Sequence, residues 1–233
     1  MSSFTKVLNS SIGNKLLMSL TGLFLCLFLV VHLAGNLMLL IEDDGVRGVN
    51  FNGYAEIMES NLLIKLVAYG LYAAILLHAY KGLMITIANR KARGGARYAV
   101  KATKGSTWTS RNMMILGSFL FIFIGIHMAQ FWYKFKFDHD PNVTYFEIVQ
   151  AGFSQLWIVI FYVLAQAALA YHLLHGFQSA FQTLGLRKGK YTAVIQGIGV
   201  GFSILVPLLF AIIPILMYMD IYPLSGFKVI PGQ

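Results

Sequence analysis

Five stretches of this chain are apolar over at least the length needed to cross a bilayer, and no other feature restricts the possible folds so severely. A helix rises 1.5 Å per residue, so about 20 mostly apolar residues cover a hydrocarbon core of about 30 Å. Such stretches run over roughly 16–41, 62–89, 112–135, 155–184 and 193–219, each past that length limit. The links between them are short and polar, and no segment resembles a separate soluble domain, a low-complexity tail or a nucleic-acid motif. Lipid offers backbone groups no hydrogen-bond partners, so the spans must be helices. The expected fold is an all-α integral membrane protein, a single domain over 1–233 built as a bundle of five transmembrane helices. The apolar run after the mildly basic first 15 residues is too long for a signal-peptide core and is expected to remain as the first span.

Charge sets the orientation. Lys6 and Lys15 precede the first span; Arg90, Lys91, Arg93, Arg97, Lys101, Lys104 and Arg111 fall between the second and third; Arg187, Lys188 and Lys190 fall between the fourth and fifth. All nine acids lie on the other side: Glu42, Asp43, Asp44, Glu56, Glu59, Asp138, Asp140, Glu147 and Asp220. Arg47, Lys65, Lys134, Lys136 and Lys228 share that side but do not reverse the bias. The positive-inside rule then puts the N-terminus in the cytoplasm and the C-terminus outside. The net charge of +9 follows from this topology, so nucleic-acid binding is not needed to explain it. The one cysteine, Cys26, can form neither an intrachain disulfide nor a cysteine-cluster metal site.

Five of the six histidines lie inside spans: His32, His78, His127, His172 and His175. The sixth, His139, sits between Asp138 and Asp140 and reads as a solvated loop residue. Ionisable groups in a membrane are expensive and point to function. Their depths form a pattern. Counted along the helices, His32 and His127 each lie about 15 Å from the outer acidic boundary, at Glu42 and Asp138. His78 and His172 lie about 25 Å from the outer ends of their helices, at a second level nearer the cytoplasm. Two pairs at two depths is the arrangement that two stacked bis-histidine haems require, each iron taking one neutral imidazole from either side.

Glycine spacing adds to this. Gly82 follows His78 by four residues, and Gly176 follows His172 by four. Positions i and i+4 share a helix face, so each glycine leaves room for a flat macrocycle, although small residues at that spacing also serve plain helix packing. The spacing favours His172 over His175 as the ligand, with His175 kept as the alternative or as a hydrogen-bonding neighbour. Lys81, three residues after His78, can pair with a haem propionate or simply snorkel to the interface.

These residues resemble a known family. SLTGLFLCLFLVVHLAGN around His32, LLHAYKGL around His78, FIGIHMAQFW around His127 and YHLLHGFQSAFQTLG around His172 are similar to stretches of the five-helix dihaem cytochrome b anchor of bacterial succinate dehydrogenases and fumarate reductases. The resemblance covers nearly the whole chain, including a histidine in each of the first four spans and none in the fifth. It implies two haem b groups, with His78 and His172 on the proximal one and His32 and His127 on the distal one. It also implies a location in the bacterial cytoplasmic membrane among membrane lipids, and two partners on the cytoplasmic side, a flavoprotein subunit and an iron–sulfur subunit. Electrons would pass between those subunits and a membrane quinone, with menaquinone favoured over ubiquinone. Some family members carry a glutamate two residues before the fourth ligand; here that position is Ala170, which argues against proton movement along that helix.

The chain carries no flavin or dicarboxylate motif, so succinate chemistry is expected elsewhere in the complex. Quinone chemistry takes up protons and needs a titratable group near water. FNGYAEIMESN, at the outer approach to the second span, offers Tyr54, Glu56 and Glu59. Two other readings compete: the cytochrome b subunit of a hydrogenase or formate dehydrogenase type complex, and a transporter with a histidine proton relay and no haem.

Overall fold

A computed structural model describes residues 10–43, 46–93, 108–187, 189 and 191–222. Lys6, Asp44, Arg97, Lys101, Lys104, Lys188, Lys190 and Lys228, which contributed to the charge asymmetry, lie outside the described residues. The described residues are all-α apart from two antiparallel strands of two residues each. Helix α1 (Ser11–Leu37) continues as a 3₁₀ turn (Met38–Leu40) and is followed by β1 (Glu42–Asp43) and β2 (Val46–Arg47). Then come α2 (Val49–Ser60), α3 (Leu62–Arg93) and α4 (Trp108–His127), a π-helical turn (Met128–Trp132) and α5 (Tyr133–Phe137). Helices α6 (Tyr145–Gly152), α7 (Leu156–Thr183) and α8 (Tyr191–Met219) are the remaining described elements.

Five helical stretches are long and apolar enough to cross a membrane: Ser11–Leu40, Leu62–Ala92, Trp108–Phe137, Leu156–Thr183 and Tyr191–Met219. They coincide with the five expected spans, most of them extended by a few polar residues at the ends, where the backbone stays helical past the apolar window. Large apolar side chains such as Leu66, Ile115, Trp157 and Ile198 stand exposed along them. Exposed apolar surface on every long helix is the mark of lipid contact, and the chain is a multi-pass membrane protein.

The chain divides into two compact units. One comprises the described parts of 1–27, 71–121 and 168–204; the other comprises 28–70, 122–167 and the described part of 205–233. Each of the five long helices contributes a segment to each unit.

In the first unit, Gly199 admits the ring of Phe177, which a Cβ there would meet at 2.6 Å. Phe177 in turn lies against Phe181 and Phe202. Ser19 and Ser203 are buried, and each donates to the carbonyl four residues back, Lys15 and Gly199. Such back-bonding lets a hydroxyl lie in an apolar bundle without an unmet hydrogen bond.

The second unit holds elements that the apolar windows did not show. Helices α2 and α6 and the two strands lie within segments read from sequence as simple polar links. Helix α2 starts after Gly48, whose φ of +79° places it in the left-handed region, where only glycine is unstrained. The Phe146 side chain fills the space where a Gly48 Cβ would stand. Helix α6 has a reciprocal cap. Thr144 Oγ1 accepts from the Glu147 N–H, and the Thr144 N–H and hydroxyl donate to Glu147 Oε2. Two of the cations expected on the acidic side are held by acids. Lys136 Nζ lies 2.6 Å from Glu59 Oε1, and Arg47 pairs with Asp220 and Glu42 while lying over the Tyr222 ring.

Candidate functional site

The four histidines placed at matched depths form two apposed pairs, one in each unit. In the first unit the rings of His78 on α3 and His172 on α7 have centroids 6.3 Å apart at an interplanar angle of 64°. In the second unit His32 on α1 and His127, the last residue of α4, have centroids 5.8 Å apart at 86°. Two imidazoles on opposite sides of one metal ion, each bonded at about 2 Å, place their ring centroids roughly 6 Å apart. Among the described residues no group of three or more His, Cys, Asp or Glu converges on one point. Each pair of imidazoles would hold the iron of a b-type haem, which would supply a one-electron iron couple. The residues present fit that group.

What each ring does with its second nitrogen bears on ligation, because a ligating imidazole usually gives its other N–H to a protein acceptor. His78 Nδ1 lies 3.1 Å from Thr21 Oγ1 on α1. The Thr21 hydroxyl donates to the Leu17 carbonyl at 2.8 Å, so its oxygen is left to accept the Nδ1 proton. His78 then carries its lone pair on Nε2. Gly22, the next residue, lets the His78 ring approach α1, since a Cβ there would sit 3.3 Å from Cε1. On the other side of the pair, His172 Nδ1 is buried and has no hydrogen-bond partner. A buried polar atom without a partner calls for an explanation; coordination of an ion by Nδ1 itself would supply one, whereas coordination through Nε2 would leave that atom unpartnered. His175 is half-buried on the same helix; the ring that faces His78 is that of His172.

The two glycines expected to clear a macrocycle differ. A Cβ at Gly176 would meet nothing within 4 Å, whereas one at Gly82 would lie 3.4 Å from Met18 Cε. The room beside Gly82 is taken up by a flexible methionine that can yield. Lys81 Nζ donates to Asn14 Oδ1 on α1 at 2.8 Å, so its head group is held between helices by a partner the sequence did not suggest.

The second pair is walled by aromatic rings. Phe28 stacks on His32 at 5.1 Å and Phe210 lies 5.6 Å away. Phe123 stacks on His127 at 5.8 Å, with Phe131 at 5.5 Å. Both stacking phenylalanines precede their histidine by four residues, in FLVVH and FIGIH. This i, i+4 signal was available in the sequence. Asn36 Nδ2 donates to the His32 carbonyl at 2.7 Å and is almost equidistant from the two ring nitrogens, at 3.4 and 3.5 Å. A donor on the bisector of the ring points along neither lone pair.

Tyr54, Glu56 and Glu59 all lie on α2 in the second unit. The Tyr54 ring packs against Gly35, where any Cβ would overlap it, within one turn of His32. Burial raises the Tyr54 hydroxyl above its ordinary pKa. Glu59 is committed to Lys136, and Glu56 is exposed. Burial, then Glu59 and then Glu56, raise the hydroxyl of Tyr145, which places that phenol near both acids. His139 is half-buried rather than solvated, stacked on Tyr145 at 4.7 Å and 11°. The reason is α6, whose first residue presents a flat ring beside the loop.

Comparison with known protein families, with curated proteins and with solved structures returned no match.

Proposed function

We propose that this chain is the membrane-anchoring cytochrome b subunit of a succinate:quinone oxidoreductase in a bacterial cytoplasmic membrane, holding two haem b groups by four histidines. The observation that carries the reading is the sorting of four intramembrane imidazoles into two facing pairs with centroids 6.3 and 5.8 Å apart. His78 and His172 would hold one haem, and His32 and His127 the other. When bound, each haem supplies a one-electron iron couple. The chain's own residues do the rest. Thr21 keeps the Nδ1 proton of His78 turned away from the pair. Phe28, Phe123, Phe131 and Phe210 keep water from the His32–His127 rings. Flavoprotein and iron–sulfur subunits would dock on the basic cytoplasmic side and deliver or receive electrons.

Of the three quinone-site candidates, Tyr54 is the best supported, because it is half-buried and packed on α1 beside Gly35. Glu59, already in an ion pair, is better read as part of the outer structure. Menaquinone remains favoured on the resemblance alone.

The experiment is purification from membranes followed by a reduced-minus-oxidised spectrum and haem quantification, with the co-purifying subunits identified. A b-type α band, two haems per chain, and a flavoprotein with an iron–sulfur partner are expected. Haem with hydrogenase or formate dehydrogenase subunits would select the other respiratory complexes, and a colourless protein would select a transporter.

A further inference from the structure

We propose that Tyr162 and Gln130 are positioning residues for His127, forming a hydrogen-bond relay that starts at the Gly152 carbonyl and leaves His127 Nε2 as the nitrogen that bonds iron. The inference rests on the dihaem reading above and deepens it.

The direction of the relay follows from its fixed end. A backbone carbonyl only accepts, so the Gln130 group facing the Gly152 oxygen must be its amide nitrogen, at 2.8 Å. The side-chain carbonyl of Gln130 is thereby turned to Tyr162, whose hydroxyl donates to it at 2.9 Å. That phenol has one proton, and it is used. Its oxygen, 3.3 Å from His127 Nδ1, can then only accept, which puts the imidazole proton on Nδ1. Neutral His127 is left with its lone pair on Nε2.

The surroundings protect this order. Tyr162 is only 5% exposed. Phe123 and Phe153 lie edge-on to its ring at 5.0 Å each, with Phe131 and Phe161 at 6.2 Å. No water path is needed to satisfy any member of the chain. Two backbone features bring its ends together. Gln130 lies in the π-helical turn Met128–Trp132 that begins immediately after His127, and such turns redirect side chains at functional sites. Gly152 lacks a Cβ that would otherwise stand 2.6 Å from the Phe131 ring and 3.0 Å from Gln130 Nε2.

A ligand imidazole that donates its second N–H is a more electron-rich donor and favours the oxidised metal. The test is a redox titration of each haem, with low-temperature electron paramagnetic resonance, on the purified complex carrying Tyr162→Phe or Gln130→Leu. The distal haem is assigned as the signal lost in His127→Ala. The relay predicts that both variants raise the midpoint potential of that haem, or release it alone, and leave the other haem's potential and spectrum unchanged. Gln130→Leu keeps the phenol in place, so it reads the relay even where Tyr162→Phe does not assemble. An unchanged distal haem in either variant, or an equal change in both haems, would overturn the proposal. Failure of the underlying dihaem reading would already appear in the unmodified complex, as fewer than two haems.

Discussion

The Thr21 hydroxyl lies 3.1 Å from Nδ1 of His78 while giving its own proton to the Leu17 carbonyl. With the Met18 backbone carbonyl as a second partner of the same ring, this threonine on α1 favours a proton on Nδ1 of a histidine on α3. This is the role Tyr162 plays for His127, met by a different residue on a different helix. The two histidine pairs thus share a logic without sharing a sequence motif.

The first prediction concerns that threonine. Thr21→Val keeps the shape and removes the acceptor. A neutral hydrogen bond is worth about 1 kcal/mol, which for a one-electron couple is at most about 40 mV. The potential of the haem proposed for His78 and His172 should rise by up to that amount, with the other proposed haem unchanged. A potentiometric titration of the purified complex reads both. No change at the proximal haem would remove Thr21 from the account.

The choice between His172 and His175 is tested by separate alanine variants. His172 faces His78, and His175 does not. His172→Ala should lose the proximal haem, and His175→Ala should keep two haems per chain. The pyridine haemochrome assay counts them; loss of a haem only in His175→Ala would reverse the assignment.

Gly48 offers a test of the fold away from the two histidine pairs. Alanine there must adopt φ +79° and displace Phe146. Left-handed backbone costs about 1–2 kcal/mol and overpacking about 1–3 kcal/mol. Gly48→Ala should therefore lower the thermal midpoint of the detergent-solubilised protein, whereas Gly70→Ala, which meets nothing within 4 Å, should have little effect from packing. Equal midpoints for the two variants would contradict the packing of α2 against α6.

The cap of α6 should respond to acid. The Thr144 N–H and hydroxyl hold the Glu147 carboxyl below its ordinary pKa of 4.5. A carboxyl depressed by folding contributes stability above its unfolded pKa and loses it as pH falls through the lower folded value. Amide exchange at the start of α6, corrected for intrinsic rates, should quicken below pH 4.5. Glu147→Gln should abolish that dependence; persistence of it in the variant would assign it to another group.

The spans were legible because a bilayer imposes a length and a composition that no tertiary contact can replace. The pairing of histidines was legible for a related reason, since depth along a rigid helix can be counted. What could not be counted is rotation about the helix axis. That rotation brings Thr21 to His78, Asn14 to Lys81 and Tyr162 to His127, partners 57, 67 and 35 residues apart. The helices α2 and α6 were missed because they are short and lie in polar links between spans. They are held by Gly48, Phe146 and the Thr144–Glu147 cap rather than by a long apolar stripe. A polar residue inside an apolar span was the clue left unused. Gln130 and Tyr162 sit in otherwise hydrophobic windows, where a side chain with hydrogen-bonding capacity must find a partner.

The most direct test of the central claim is the haem content of the purified chain, measured per polypeptide. Two b-type haems per chain are predicted, falling to one when either His32 or His78 is replaced by alanine, with a different haem lost in each case. A chain that binds none, or that keeps both haems in the His32→Ala and His78→Ala variants, would contradict it.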